Sequence, residues 1–306
     1  MSLIKSIKGR QVFDSRGNPT VEAEVILNDE TIGVSIVPSG ASTGRYEAHE
    51  LRDKNKDYLN KSVLEAVKNI NNKISKVLHK EDSLNQKKID EILINLDGTD
   101  NKSNLGANSI LAVSVANLKA AAKFSKKEIY EYIKNENKSL STPYPLMNII
   151  NGGAHANNSL EIQEFMIRPD GAKNFKECMQ MSFLVIQNLK KKLESKKIST
   201  SVGDEGGFAP SLESDEEAIE VIISSISASG FKPGKDVSIC LDVAANELKV
   251  PKNVQYFLDL EKKYPIKSIE DPFSEDDWDN WKNLTQKIKA QIVGDDLFVT
   301  NKKRLE

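Results

Sequence analysis

The strongest constraint on the fold lies between residues 145 and 296, where six short apolar runs recur, each ending in glycine or acidic residues and most followed by a helix-period segment. They are "PLMNIING", "IQEFMIRP", "ISTSVGDEGG", "VSICLDVAA", "IKSIEDP" and "QIVGDD". Strands that alternate with helices are joined by crossovers, and crossovers make parallel sheets, so the pattern predicts a (β/α) barrel or a doubly wound sheet. The acids decide between these. Asp204 and Glu205, Asp242, Glu270 and Asp271, and Asp295 and Asp296 fall at the C-terminal ends of the predicted strands, the face on which a (β/α) barrel gathers its site.

The first part of the chain follows another rule. "TVEAEVIL" places Val21, Ala23, Val25 and Leu27 on one face, and "TIGVSIV" follows after the turn residues Asn28 and Asp29, which predicts a small antiparallel sheet. From Asp57 the period lengthens, with Leu59, Val63, Val67, Ile70, Ile74 and Val77 on one helical stripe. A second helix is expected over roughly 84–96, and "GANSILAVSVANLKAAAKF" reads as a third, buried one. The Ser/Thr/Pro cluster at 139–145 has the composition of a linker. The expected organisation is an α+β domain over 1–138 and a barrel domain over 139–306.

Composition narrows the partners. Forty-three basic residues against 45 acidic ones leave a net charge of −2, which offers no electrostatic footprint for nucleic acid or an anionic membrane surface. The longest uncharged stretch, "SNLGANSILAVSVANL", is too polar and too short to span a bilayer, and "MSLIKSIKGR" is not a signal peptide. Cys178 and Cys240 both lie in apolar segments and read as core thiols, so a soluble protein of the reducing cytoplasm is expected.

Carboxylates from successive strands, with no basic partner nearby in sequence, supply the oxygen ligands a hard divalent cation requires. Asp242, Glu270 and Asp295 are the expected ligands and Mg²⁺ the expected ion. Read singly, each acid could equally cap the next helix or pair with a lysine; three in register weigh against that. In "SVGDEGGFAP", glycines on both sides of Asp204 and Glu205 let the backbone turn sharply and approach a ligand, although an ordinary Gly-rich turn stays open as a reading. "VPSGASTGRYEAHE" offers hydroxyls and glycines suited to closing over an anion or donating an oxygen to a metal. Of the three histidines, only His155 lies in a Gly/Asn loop at a strand end.

Taken together, "FDSRGNPTVEAEV", "VPSGASTGRYEAHELRD", "NIINGGAHANN", "QEFMI", "VGDEGGFAP", "LDVAA", "SIEDPFSEDDW" and "VGDDLFVTN" resemble the enolase family along essentially the whole chain. The resemblance implies a glycolytic lyase that reversibly dehydrates 2-phosphoglycerate to phosphoenolpyruvate. It implies an α+β lid domain followed by a TIM-type barrel, two Mg²⁺ per site and a homodimer. By similarity Glu205 is the general acid, assisted by Glu164. Asp242, Glu270 and Asp295 bind the first Mg²⁺, Ser42 reaches the second as its loop closes, and His155, Gln163 and Glu164 contact substrate.

Two departures from the family pattern bear on activity. The Lys-x-Asn-Gln segment that carries the proton-abstracting lysine, and the His-Arg-Ser segment for the substrate's anionic groups, are not found within the 306 residues. The expectation is therefore an incomplete barrel without its last strands, whose catalysis as a 306-residue polypeptide is doubtful; a non-catalytic binding protein is the alternative. The stretch "VAANELKVPKNVQYFLDLEKKYPIKSI" is also shorter than the usual family connection.

Overall fold

A computed structural model describes residues 2–40, 44–134, 139–203 and 205–306. The chain forms two compact units, Met1–Leu140 and Ser141–Glu306.

In the first unit, strands β1 (Ile4–Phe13), β2 (Pro19–Leu27) and β3 (Ile32–Val37) form an antiparallel meander in that order. Alternation buries Val21, Ala23, Val25 and Leu27 on one face, as their spacing predicts. Helix α1 (Leu64–Asn69) runs through a π-helical segment, Ile70–Ile74, into α2 (Ser75–Leu78). Here the expected stripe needs correcting. Val63, Ala66, Ile70, Ile74 and Leu78 are buried, whereas Leu59 and Val77 are 85% and 39% exposed. The wider π turn advances the buried face by one residue, so Leu78 replaces Val77. Leu59 precedes the helix, in a turn with left-handed backbone (φ 54°).

Helices α3 (Gln86–Asp97), α4 (Ala107–Phe124) and α5 (Ile129–Tyr132) follow. Asn85 caps α3 by accepting from the Lys88 N–H, and Gly98 ends it at φ 71°. The face of α4 carrying Ala112, Ala116 and Ala120 is fully buried in the sheet's core cluster. A side chain at Gly33 of β3 would meet the Ala116 carbonyl oxygen at 2.1 Å. Small residues on both partners are what permit this approach.

The second unit is built on a sheet of order β4 (Met147–Asn151), β5 (Glu164–Arg168), β6 (Ser238–Asp242), β7 (Ile266–Glu270), β8 (Gln291–Val293). Between β5 and β6 run α6 (Phe175–Ser195) and α7 (Asp215–Ala228); α8 (Val254–Lys263), α9 (Trp278–Lys287) and α10 (Lys302–Leu305) follow β6, β7 and β8. Only the pairs β6/β7 and β7/β8 are parallel; β4/β5 and β5/β6 are antiparallel. The wholly parallel sheet expected from the alternation is thus corrected to a mixed one, as in an incomplete barrel. The link from β4 to β5 holds no crossover helix longer than the 3₁₀ turn Gly153–His155, so the strand folds straight back. The link from β5 to β6 holds two helices, and two reversals return the chain antiparallel where one would return it parallel.

The run "ISTSVGDEGG" is likewise not a strand of the sheet. Val202 and Phe208 bridge each other, and Phe208 bridges Ile150, which lays this segment over the end of β4. The core beneath gathers Phe165, Ile167, Ile239, Leu241 and Ile269 from the strands with Val185 and Leu189 of α6 and Ile219 and Ile222 of α7. Phe257, Phe273 and Trp281 extend it by edge-to-face contacts, with centroids 5.5 and 6.4 Å apart. Both cysteines are buried free thiols.

Candidate active site

Register brings the acids together. Asn151 pairs with Glu164, Glu164 with Asp242, Asp242 with Glu270, and Glu270 with Val293, so one row crosses all five strands at one end of the sheet. Asp242 and Glu270 end their strands, but Glu164 begins β5 and reaches the same mouth because that strand runs the other way. Asp242 and Glu270 form one group with Asp271, their nearest oxygens all within 4.8 Å of one another. Asp295 is exposed two residues beyond β8 and outside that group, near enough that its charge contributes to raising Glu270.

A second group, His155, Glu164 and Glu205, meets the same 4.8 Å limit. His155 Nδ1 lies 3.2 Å from Glu205 Oε2 and 4.0 Å from Glu164 Oε1, and the Asn148 amide donates to Glu205 Oε2 at 3.3 Å. Gln163 Nε2 donates to Asp242 Oδ2 at 3.2 Å and the Ala244 N–H to Asp242 Oδ1 at 3.1 Å. Ser42 and Asp204 lie outside the described residues.

The electrostatics separate the two glutamates. Burial, then the hydrogen bond and charge of Glu205, then Asp242 and Glu270 push Glu164 up to about 9. Burial also opposes the charge on Glu205, but the hydrogen bond from Glu164, the His155 charge and the Asn148 amide hold it below the ordinary range. Two carboxyls in contact cannot both ionise readily, so the pair shares a proton, held chiefly by Glu164. Burial and then Glu270 and Asp271 raise Asp242 to about 8; burial and then Asp271, Asp295 and Asp296 raise Glu270 to about 7.

Several polar atoms of this mouth are buried without a partner among the described residues: both amide atoms of Asn151, Oδ1 of Asn148, Oε1 of Gln163 and Nε2 of His155. Buried polar groups are ordinarily satisfied, so atoms left over around a ring of mutually repelling acids fit a polar ligand and a cation. Gly207 is fitted closely here, since a side chain on it would meet Asn151 Oδ1 at 2.5 Å. Sequence alone gives Asn148 and Asn151 no site role, and it places Asp271 on the site face without one. The runs of strand-end asparagines in "NIINGG" and the adjacent acids in "SIEDP" were the available signals.

The family model described as the enolase N-terminal domain matches residues 4–133, and that described as the enolase C-terminal TIM barrel domain matches 139–263 and 249–306. The chain belongs to the enolase family. Its members are lyases of the phosphopyruvate hydratase type, and the chain is similar to the enolase of Pelagibacter ubique (strain HTCC1062). Identity is 56% over 324 residues, an alignment that takes in 100% of this chain and 77% of that protein. The barrel model matches in two overlapping pieces, and the alignment is longer than the chain, as a connection shortened between β6 and β7 would give. In that connection only the 3₁₀ turn Ala245–Glu247 precedes α8, and Lys252 forms an ion pair with Glu161 in the loop before β5.

Proposed function

We propose that the protein serves the enolase reaction, the reversible dehydration of 2-phosphoglycerate to phosphoenolpyruvate. The observation that carries this is the row of Glu164, Asp242 and Glu270 across adjacent strands, with the proton-sharing pair Glu164 and Glu205 at one end of it. In this reading Asp242, Glu270 and Asp295 hold one Mg²⁺, and Ser42 contributes to a second. Bound Mg²⁺ supplies positive charge against which the substrate's carboxylate can accept the electrons left when the C2 proton departs.

The chain's own residues handle the other end of the bond change. Glu164, deep and protonated, stores the proton; Glu205, its side chain 36% exposed, passes it to the C3 hydroxyl, which leaves as water. His155 and Gln163, with a buried ring nitrogen and a buried amide oxygen that have no partner among the described residues, orient the substrate. The C2 proton needs a base. The lysine segment that the family resemblance implies for it is not found within these 306 residues. The cytoplasm fits the two reduced, buried cysteines, and no helix among the described residues is long and apolar enough to cross a membrane. A homodimer is the assembly expected by family resemblance.

The test is phosphoenolpyruvate absorbance in excess Mg²⁺ with 2-phosphoglycerate. A polypeptide of these 306 residues should show turnover lower by roughly 10²–10⁴ or more, the usual worth of a general base. Fusing the last strand–helix units of a full-length enolase barrel after Glu306 should restore activity. Family-typical turnover by the unfused polypeptide would show that a lysine already present is the base.

A further inference from the structure

Asp271 is tied into this mouth by backbone and side chain alike. Its side chain is buried and its backbone is left-handed at φ 41°, a conformation a non-glycine residue keeps only where its surroundings demand it. Its own N–H donates to the Val293 carbonyl at 3.0 Å, and its carbonyl accepts from the Ala245 N–H at 3.0 Å. The side chain then accepts three more backbone donors: the N–H groups of Asp295 and Asp296 on Oδ2, at 3.2 and 2.8 Å, and that of Leu297 on Oδ1, at 3.3 Å. One residue thus joins the segments that leave β6, β7 and β8.

The left-handed turn explains the placement. Alternation along β7 would send the residue after Glu270 away from Glu270's face; the turn instead brings Asp271 oxygen within 4.8 Å of Asp242 and Glu270. Proximity alone would make it a third cation ligand. Yet its two oxygens take three backbone N–H donors, two of them on Oδ2 and all from the segment that carries Asp295, whereas each Asp242 oxygen takes a single donor and keeps a lone pair for a cation.

We propose that Asp271 is a positioning residue that holds the 295–297 segment in place and so presents Asp295 to the cation, without itself being a ligand. This rests on the reading that Asp295 belongs to the cation site. The variants are Asp271→Asn, which tolerates the left-handed backbone, and Asp271→Gly, which relaxes it and removes the carboxylate.

Hydrogen exchange on metal-free protein is the first arm. The amides of residues 295–297 should exchange roughly ten- to a hundredfold faster in both variants, as expected for loss of a charged acceptor, while those of Ile239 and Leu241 in β6 stay protected. Calorimetric titration with Mg²⁺ is the second. Each variant should bind roughly 10–100-fold more weakly, the range for residues that orient metal ligands. Adding Asp271→Asn to Asp295→Asn should cause little further loss, because the two act as one unit. Unchanged exchange at 295–297, or losses that add fully in the double variant, would overturn the proposal and make Asp271 an independent ligand. A wild-type protein that binds no Mg²⁺ would instead defeat the cation-site reading, and the exchange arm would still decide what Asp271 holds.

Discussion

Asp53 and Asp97 in the first unit and Asp242 and Glu270 in the second are all acids removed wholly or largely from water, and they have been treated in opposite ways. Asp53 takes the N–H groups of Leu64 and Glu65, at 2.8 and 2.9 Å, and so caps α1. Asp97 takes the N–H groups of Thr99, Asn104 and Leu105 and the Thr99 hydroxyl. Burial works against ionisation of both, but these donors outweigh it and hold each carboxyl below its ordinary range. Asp242 also takes two donors, the Ala244 N–H and the Gln163 amide, but it and Glu270 face each other and further acids, and with burial this raises both. An acid that closes a loop away from other acids is held ionised by donors from the chain; acids gathered at one mouth are left in need of a cation even where donors reach them.

The sharpest attempt to break this contrast is Glu205→Gln in an active, barrel-extended protein. It should lower kcat by roughly 10²–10⁴, since the proton held by the Glu164–Glu205 pair can no longer be delivered. Steady-state rates at saturating 2-phosphoglycerate check this, and a rate within a fewfold of the parent's would remove Glu205 from the chemistry. Next in size, Asp242→Asn should weaken Mg²⁺ by roughly a hundredfold or more in calorimetry, beyond what losing a residue that only orients a ligand costs, while leaving the metal-free fold as stable as before or more so. Asp97→Ala should do the reverse, losing about 1–3 kcal/mol in denaturant unfolding through its orphaned N–H donors with Mg²⁺ affinity unchanged. Equal effects of both substitutions on both measurements would dissolve the distinction.

The remaining effect is a dependence on pH. Asp242 at about 8 and Glu270 at about 7 stand above their unfolded values, near 3.9 and 4.3 for free side chains. Between those limits the folded state binds more protons than the unfolded one, so the contribution is fully present below about pH 4 and is lost as pH rises toward 8. Metal-free protein should therefore lose stability from this site across that window, and saturating Mg²⁺ should remove the loss by favouring the ionised form. Thermal unfolding with and without Mg²⁺ at pH 5.5 and 8 would show it.

Much of this was legible in the chain. The alternation in "TVEAEVIL" and the strand-end acids needed only period and position, because burial of one sheet face enforces the first and the C-terminal mouth collects the second. What escaped depended on direction and turn geometry. Nothing in "IQEFMIRP" says that β5 runs antiparallel, since that follows from two helices later in the chain. The π turn at Ile70–Ile74 carries no residue signature that would have moved the buried face from Val77 to Leu78. Asp271 was visible as one of two adjacent acids, but its turn back toward Glu270 depends on a φ that local sequence does not announce.

The reversed direction of β5 also governs where the chain tolerates changes of length. Asp242 and Glu270 are the last residues of their strands, so the ladder has placed them before the following connection begins. Shortening the stretch after β6 would leave both in register. Glu164 is the first residue of its strand, and the segment 152–163 must deliver it. One residue inserted there and absorbed by a slip of β5 would set Gln163 where Glu164 pairs with Asp242, whereas several added beyond Ala245 need only enlarge a surface turn. Insertions of the same size are therefore read by this site as a lesion on one side of β6 and as decoration on the other.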